Sequence, residues 1–282
     1  MSFAADLVAQ LEHATAGQPV PRVRALHLPP AEAAASKSGE FCALELDDGA
    51  LGLSYVLLDH TLQRLIQSGG GEGLVGMEAL ELARAFAAPS GRAHTASQDP
   101  AQALCRTLGF AACNALSRTV MDRMGFAPPR ATDSIGGIAP QAGDHVGMVG
   151  LFSPLLKQVT AAGARLTVVE LNPDYAGQYD GYHVTLDAAE LQGCNKVLST
   201  STILLNHTVD DMLAQCRGAE RIVLIGPSAG CVPDPLFARG VTLMGGSWIT
   251  DRAGFIDALR RGDPWSAFAY KFALTASDWP GR

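Results

Sequence analysis

Glu170 stands at the end of a predicted strand, twenty residues after Gly150, in a segment that resembles the start of a nucleotide-binding βαβ unit. In such a unit glycines let the backbone approach the ligand, a helix N-terminus favours an anion, and the acid holds ribose hydroxyls. Gly147 and Gly150 would supply the close approach. The third glycine is absent, and Leu151 and Phe152 stand where a pyrophosphate would pass. NAD and FAD are therefore disfavoured, while S-adenosylmethionine stays open. The alternative is that the glycines only turn the chain and Glu170 is a solvated strand end.

Two other strand ends carry polar residues. The stretch "STSTILLNHT" (199–208) has four hydroxyl residues, followed by Asn206, His207 and Thr208. Local capping accounts for Thr208, but it does not account for Asn206 and His207. The stretch "IGPSAGCVPDP" (225–235) follows the clearest strand. Its backbone N–H groups and the Ser228 hydroxyl are predicted to cup a carboxylate or another anion, with a rigid turn as the alternative.

Two further kinds of site, a hydrolase triad and a metal site, can be judged from the sequence. Gly226-Pro227-Ser228-Ala229-Gly230 has the letters of a nucleophile elbow, but no histidine follows it, so a hydrolase triad is excluded. No short metal motif occurs among the histidines and six cysteines. A metal site would have to be assembled from separate loops, and Glu170, His207 and Cys231 are the candidate ligands.

The elements that would position these residues fall into two patterns. Residues 1–126 read as an α+β domain: a helix over 4–14, a hairpin over 41–58 turning at Asp48-Gly49, and helices over 76–88 and 100–124. Small residues in the last helix (Ala111, Ala112 and Ala115) predict close packing on the hairpin. Residues 127–143, rich in Pro and Gly, form a predicted linker.

Residues 144–282 alternate strands and helices, which predicts a parallel sheet with right-handed crossovers and a fold of the α/β class. Strands are predicted over 146–149, 166–169, 196–198, 221–225 and 241–244. Ser153, Thr208 with Asp211, and Asp251 are predicted to start helices as capping residues. In such a sheet ligands bind beyond the carboxyl ends of the strands, where the strand order reverses.

Composition limits the function classes. The 282 residues are 48% hydrophobic, and the net charge of −7 opposes general attraction to nucleic acid or an anionic membrane. The N-terminus lacks the pattern of a signal peptide, and no apolar run is long enough to span a bilayer, so the expectation is a cytoplasmic protein. A small molecule or a metal is the expected partner, and a homo-oligomer stays open.

Several of these segments together resemble one family of domains of unknown function, labelled for heavy-metal chelation. The stretches that carry the resemblance are "VGMVGLFSPLL…LTVVELNP", "STSTILLNHTVDDML", "VLIGPSAGCVPDPLFARGVTLMGGSWITD" and "AACNALS". The resemblance implies a Rossmann-like domain preceded by a smaller domain with the fold of the enolase N-terminal domain. It also implies a site between the two, at Gly150, Glu170, Asn206, Thr208, Gly226, Pro227 and Ser228. The sequence departs from the family pattern at Ala229 and at Asn195-Lys196.

The sequence therefore predicts a small-ligand or metal-binding protein with an interdomain site, related to heavy-metal chelation or metal homeostasis. The alternative is an adenosyl-cofactor-dependent enzyme of the transferase type, which would act on an amino-acid-like substrate or a chelator. In that case Glu170 would hold the ribose, with Gly147 and Gly150 beneath the cofactor. A third reading is a scaffold without chemistry. The sequence leaves open whether any reaction is catalysed.

Overall fold

A computed structural model describes residues 1–35, 39–88, 100–133 and 137–281. The first part of the chain builds a three-stranded antiparallel sheet of order β1-β2-β3. Its elements are α1 (Phe3–Thr15), β1 (Val23–His27), β2 (Phe41–Leu46), β3 (Leu51–Tyr55), α2 (Thr61–Gln67), α3 (Ala79–Ala87) and α4 (Pro100–Arg123). Short 3-10 helices span Ala31–Ala35, Leu58–His60 and Glu72–Leu74. The predicted hairpin and three helices are present, and β1 and α2 are additions that the sequence pattern did not indicate.

The second part builds an eight-stranded sheet of order β11-β10-β9-β8-β4-β5-β7-β6. The six inner strands are parallel, and β11 and β6 pair antiparallel at the two edges. The strands are β4 (His145–Val149), β5 (Arg165–Val169), β6 (Gly177–Tyr179), β7 (Tyr182–Thr185), β8 (Lys196–Thr200), β9 (Arg221–Ile225), β10 (Leu243–Ile249) and β11 (Ala269–Leu274).

Five helices accompany these strands: α5 (Ser153–Ala161), α6 (Thr202–Leu205), α7 (Val209–Gln215), α8 (Asp234–Phe237) and α9 (Arg252–Arg261). The 3-10 helices here span Pro173–Tyr175, Ala188–Gly193 and Ser266–Phe268. The α/β class and the parallel sheet are as predicted. The division at residues 127–143 stays a prediction, and the main chain at Pro129 and Ala131 hydrogen-bonds to β11.

Two predicted helix caps are wrong. Helix α5 begins at Ser153 itself, with Phe152 as its N-cap and no side-chain cap. Thr208 precedes α7, but its side chain caps no backbone group of the helix. Its hydroxyl instead donates to Oδ1 of Asn206, 2.7 Å away. The Asp251 cap is confirmed, since its carboxylate accepts from the N–H of Gly254 at 3.0 Å.

Strands β2 and β3 of the first sheet are packed on both of their faces. On one face α4 lies so close that a side chain on Gly52 would strike the backbone of Ala111 and Ala115, which confirms the predicted close packing of small residues. The other face, from Ala43 to Leu53, packs on β10 and α9 in a cluster that includes Phe255. The first sheet is thus covered on one side by its own helix and on the other by the second part of the chain.

Polar contacts add to this docking at α1. Arg239 donates to Asp210 at 2.7 Å and, in α1, to Asp6 at 2.6 Å. The N–H of Phe3 donates to the other oxygen of Asp210 at 2.9 Å. Because Arg239 is only 15% exposed, this network is partly shielded from solvent. No helix in the described part of the chain is long and apolar enough to cross a membrane.

Candidate functional site between the two sheets

The loops predicted to bind a ligand lie at one edge of the parallel sheet. Strand β4 has β5 on one side and β8 on the other, so the strand order reverses there. The loops after β4, β5, β8 and β9 begin at Gly150, Glu170, Ser201 and Gly226. Parallel strands carry their carboxyl ends to the same edge, where α/β proteins bind ligands. This grouping of loops could be predicted from the sequence because it follows from the alternation of strands and helices.

Glu170 ties two of these loops together. One carboxylate oxygen accepts from the N–H of Leu151 at 3.0 Å, and the other accepts from the N–H of Leu171 at 2.7 Å. The acid therefore lies beside the glycine turn after β4, as a ribose-binding acid would. Each oxygen already has a backbone donor, and each retains capacity for a further bond.

Two of the predicted glycines allow close contact between loops. Gly150 has φ +86°, and a Cβ there would lie 3.1 Å from the Thr200 methyl carbon. Gly226 has φ +155°, and a Cβ there would strike the Ser201 hydroxyl. Gly147 is different: a Cβ on it would meet Leu191 at 2.7 Å and the Cys194 sulfur at 3.0 Å. Leu191 and Cys194 thus occupy the space beside Gly147 within β4, and its place beneath a cofactor stays a prediction.

The loop after β9 is held by hydrogen bonds of its own. Ser228, 1% exposed, has its hydroxyl 3.0 Å from that of Ser201. The N–H of Gly226 donates to Gly245 and that of Ala229 donates back to Gly226. Pro227 has no N–H, so these three positions offer an anion no free backbone donor. Of the two sequence interpretations, the rigid turn describes this loop; a ligand role for Gly226, Pro227 and Ser228 stays a prediction.

Asn206 and His207 turn the chain between α6 and α7. Asn206 Oδ1 accepts from the N–H and the hydroxyl of Thr208, at 3.2 and 2.7 Å. His207 has φ +61° and its ring packs edge-on against Phe86 of α3, with 4.7 Å between centroids. Burial, followed by the charge of Arg106, lowers the pKa of His207 to about 4, against the opposing effect of Asp210. The imidazole is therefore neutral at pH 7, and its buried Nε2 has no hydrogen-bond partner.

The predicted metal ligands are not brought together. No three His, Cys, Asp or Glu side chains in the described ranges form a group that could hold a metal ion, so Glu170, His207 and Cys231 do not constitute one site. Cys231 is fully buried, and burial raises the pKa of its thiol to about 12. Burial likewise raises the pKa of the Cys42 and Cys216 thiols to about 12. The thiolate is the form that binds metals, and burial opposes it at these positions.

The first part of the chain contributes two residues, Tyr55 and Asn114, that were not predicted as site residues from the sequence. Tyr55, at the end of β3, has a pKa raised by burial and then by the charges of Glu40 and Glu170. Asn114 of α4 donates to the carbonyl of Leu53 at 2.7 Å and to that of Ser228 at 2.9 Å. A polar residue among the small apolar residues of "AACNALS" was the only signal for Asn114 in the sequence.

The departures from the family pattern have structural explanations. Asn195 and Lys196 lie at the amino end of β8, where both donate to Asp144, at 2.8 and 2.7 Å. The hydrogen bonds from Lys196 and then Asn195 lower the pKa of Asp144 to about 2. This is the end of the sheet opposite the candidate site. Ala229 is fully buried, and its carbonyl lies where a side chain on Gly246 would stand.

A scan against protein families matches residues 137–277, half of the chain, to DUF364, described as "Putative heavy-metal chelation". The chain belongs to this family. A DUF364 protein of unknown function from Desulfitobacterium hafniense DCB-2 is similar over 96% of this chain and 98% of its own, at 18% identity and a TM-score of 0.63. Another from Pyrococcus horikoshii covers 97% of this chain and 100% of its own, at 17% identity and a TM-score of 0.65.

These two likenesses show that the DUF364 fold extends over nearly the whole chain, beyond the half that the family model matches. At 14% identity and a TM-score of 0.35, a mandelate racemase/muconate lactonizing enzyme from Polaromonas sp. JS666 also matches, over 79% of both chains. A likeness of that size carries no argument about activity. A search of curated proteins finds no match.

Proposed function

We propose that this DUF364 protein binds a small ligand between its two sheets through carboxylate and hydroxyl oxygens of the protein. The simplest such ligand is a metal ion complexed by a small-molecule chelator. The observation that carries the proposal is the position of Glu170. Its carboxylate is fixed beside the loop after β4, and the pKa of Tyr55 at the end of β3 is raised by burial and then by the charges of Glu40 and Glu170. The charges that act on Tyr55 thus come from both parts of the chain.

The donor set favours a complexed metal over a bare soft ion. Carboxylate and hydroxyl oxygens are hard ligands, whereas soft metals select thiolate and imidazole. The buried thiols hold their protons, and the imidazole of His207 faces Phe86. A chelator would provide the inner ligands of a heavy metal itself. The protein would then bind the chelator, and not the metal itself, through Glu170 and the hydroxyls of Thr200 and Thr202. The two hydroxyl oxygens lie 3.1 Å apart.

A second candidate is an adenosyl-cofactor-dependent enzyme. The 3.0 Å hydrogen bond between Glu170 and the loop after β4 favours it, because that is where a ribose-binding acid lies. Against it, Leu191 and Cys194 occupy the space beside Gly147, which leaves only Gly150 where the backbone could come close to a cofactor.

The test is ligand-dependent stabilisation of metal-stripped protein. Thermal unfolding would be followed with Ni²⁺, Zn²⁺ and Cd²⁺, each free and as a citrate complex, and with S-adenosylmethionine. A ligand at a hundred times its dissociation constant stabilises by about 2.7 kcal/mol. We expect a shift with a citrate complex that is lost in Glu170→Gln. The matched control is Glu220→Gln, an exposed acid at the amino end of β9.

Each outcome separates the candidates. An S-adenosylmethionine shift that Glu170→Gln removes would replace the chelate proposal with the enzyme. A shift with free metal alone, unaffected by Glu170→Gln, would contradict the site. No shift with any of these ligands would contradict both candidates and favour the scaffold.

A further inference from the structure

One edge of the large sheet carries a cluster of exposed apolar side chains. Seven large hydrophobic residues are exposed among the described residues, and four of them fall within residues 171–186. These four, Leu171, Tyr175, Tyr179 and Leu186, form what we term the β6 edge surface. Tyr179 belongs to β6, the last described strand on that side of the sheet. Single exposed apolar residues are common, but a cluster of them marks an interaction surface.

The four side chains belong to one connection at this edge. The N–H of Glu170 donates to the carbonyl of Thr185 at 3.0 Å, so Leu171 and Leu186 follow from neighbouring positions in β5 and β7. Between these two leucines the chain runs through a 3-10 helix and the β6–β7 hairpin. The leucines therefore lie at the base of the connection that carries both tyrosines.

The tyrosines are held in place by the fold. Tyr179 pairs with Tyr182 across the hairpin, and their rings stack with 4.8 Å between centroids and 3° between planes. Tyr182 packs in turn against the core cluster that includes Leu156 and Val159 of α5. The Tyr179 hydroxyl donates to the carbonyl of Tyr175 at 2.9 Å. The outer ring, that of Tyr179, is thus supported from within and is 39% exposed to solvent.

Negative charge surrounds this aromatic pair. Residues 171–195 contain four acidic residues and no Lys or Arg. Among them, Asp174 and Asp180 are exposed, and neither carboxylate has a basic partner in the part of the chain that the structure describes. Asp174 precedes Tyr175 and Asp180 follows Tyr179, so an uncompensated charge adjoins each tyrosine.

These charges determine which kind of partner fits. Nucleic acid and anionic membranes have the same sign of charge and are repelled. A second copy of this chain, paired edge to edge about a two-fold axis, would bring the Asp174 and Asp180 carboxylates of both copies to one interface. A basic partner is attracted, and its Lys or Arg side chains can lie on the open face of Tyr179 in a cation–π contact. An edge strand also offers its backbone to another extended segment.

We propose that the β6 edge surface binds an extended, basic segment of another protein. Lys or Arg residues of that segment lie beside Asp174 and Asp180 and over the ring of Tyr179, and its apolar residues lie on Tyr175 and Leu186. Because β6 spans only Gly177–Tyr179, the contact is short, and the complex is weak and reversible. The proposal is independent of a ligand at Glu170.

Three peptides with blocked ends test the chemistry of the partner. The probe is Lys-Val-Lys-Phe-Lys-Val-Lys. One control has Glu in place of each Lys, and the other has Ser in place of Val and Phe. Each would be titrated into the ¹⁵N-labelled full chain, with the amides of Gly177 and Gly181 followed by NMR. We expect saturable shifts with the probe alone, and weaker binding in 1 M salt, where the Debye length falls from about 10 Å to about 3 Å.

Two variants separate the aromatic and the charged contributions. Tyr179→Ser should lower the affinity for the probe by about 2- to 5-fold from the lost cation–π contact alone. The matched control is Val75→Ser, which removes an exposed apolar side chain from the first part of the chain and should leave the affinity unchanged. Asp174→Asn combined with Asp180→Asn keeps the size of both side chains, and it should weaken binding and reduce its dependence on salt.

Several results would overturn the proposal. They are no binding of the probe at roughly millimolar concentration, equal binding of the Lys and Glu peptides, and an affinity that Tyr179→Ser does not change. Equal binding of the probe and the Ser control would leave a contact by charge alone. Self-association of the free chain that Tyr179→Ser abolishes in sedimentation experiments would instead assign this surface to a second copy.

Discussion

Replacing Asn114 by alanine tests the most connected side chain at the junction of the sheets. The substitution removes hydrogen bonds of 2.7 and 2.9 Å to the carbonyls of Leu53 and Ser228, and leaves both carbonyls without this donor. A buried polar group deprived of its partner costs about 1–3 kcal/mol, so the two together cost about 2–6 kcal/mol. Removing the unsatisfied Oδ1 of Asn114 returns about 1 kcal/mol or more. The expected net loss in the free energy of unfolding is about 1–5 kcal/mol.

Urea unfolding followed by tryptophan fluorescence measures this loss as a lower midpoint at unchanged slope. Gln102→Ala is the control, because it removes an amide from an exposed position of the same helix and is expected to change stability by less than about 0.5 kcal/mol. Asn114→Asp keeps the shape but sets a carboxylate against two carbonyls. At pH 7 it should be less stable than Asn114→Ala, and it should gain on that variant as the pH falls. If Asn114→Ala loses no more than Gln102→Ala, the two hydrogen bonds do not hold the junction.

Three further predictions concern the surroundings of the site. The pKa of His207 is about 6.5 in the unfolded chain and about 4 in the fold, so protonation favours the unfolded chain and about 3 kcal/mol of stability is lost as the pH falls from 6.5 to 4. His207→Asn, which tolerates positive φ, should reduce that loss in urea titrations across pH, and an unchanged profile would contradict it. Gly226→Ala should lower the melting temperature, and combining it with Ser201→Gly should recover part of the loss; no recovery would mean that backbone strain alone is responsible. Arg239→Ala should cost about 1–3 kcal/mol in urea unfolding, whereas Arg261→Ala, whose ion pairs are exposed, should leave the urea midpoint nearly unchanged; equal losses would refute a docking role for Arg239.

The elements that the sequence could not predict are explained by contacts across the fold. Strand β10 continues through Gly245 and Gly246, beyond the predicted end of the strand at residue 244. A side chain on Gly246 would strike the carbonyl of Ala229 and the ring of Phe272, so tertiary contact requires glycine there. The edge strands β6 and β11 pair antiparallel with neighbours, and the alternation of strands and helices contains no signal for such pairing.

The candidate site divides in the same way. Glu170 and Gly150 were predictable because strand ends and the glycine turn depend on local sequence and on the rule that parallel strands end at one edge. The sequence could not show that Leu191 and Cys194 occupy the space beside Gly147, because the residue type does not distinguish a glycine next to a ligand from one next to packed side chains. Thr208 was wrongly assigned a helix cap because its backbone is already helical, at φ −90° and ψ −3°, whereas a capping residue is normally extended.

The sequence by itself determined the α/β class, the hairpin, the helices α1, α3 and α4 of the first part and the edge at which the polar loops meet. Those features follow from periodicity, turn residues and chain connectivity, which are local. Only the tertiary structure decided that His207 packs on Phe86, that Cys231 is fully buried, and that Asn114 joins β3 to the loop after β9. These contacts join residues up to 121 positions apart along the chain. Their geometry is set by how the two sheets pack, which no local pattern in the sequence encodes.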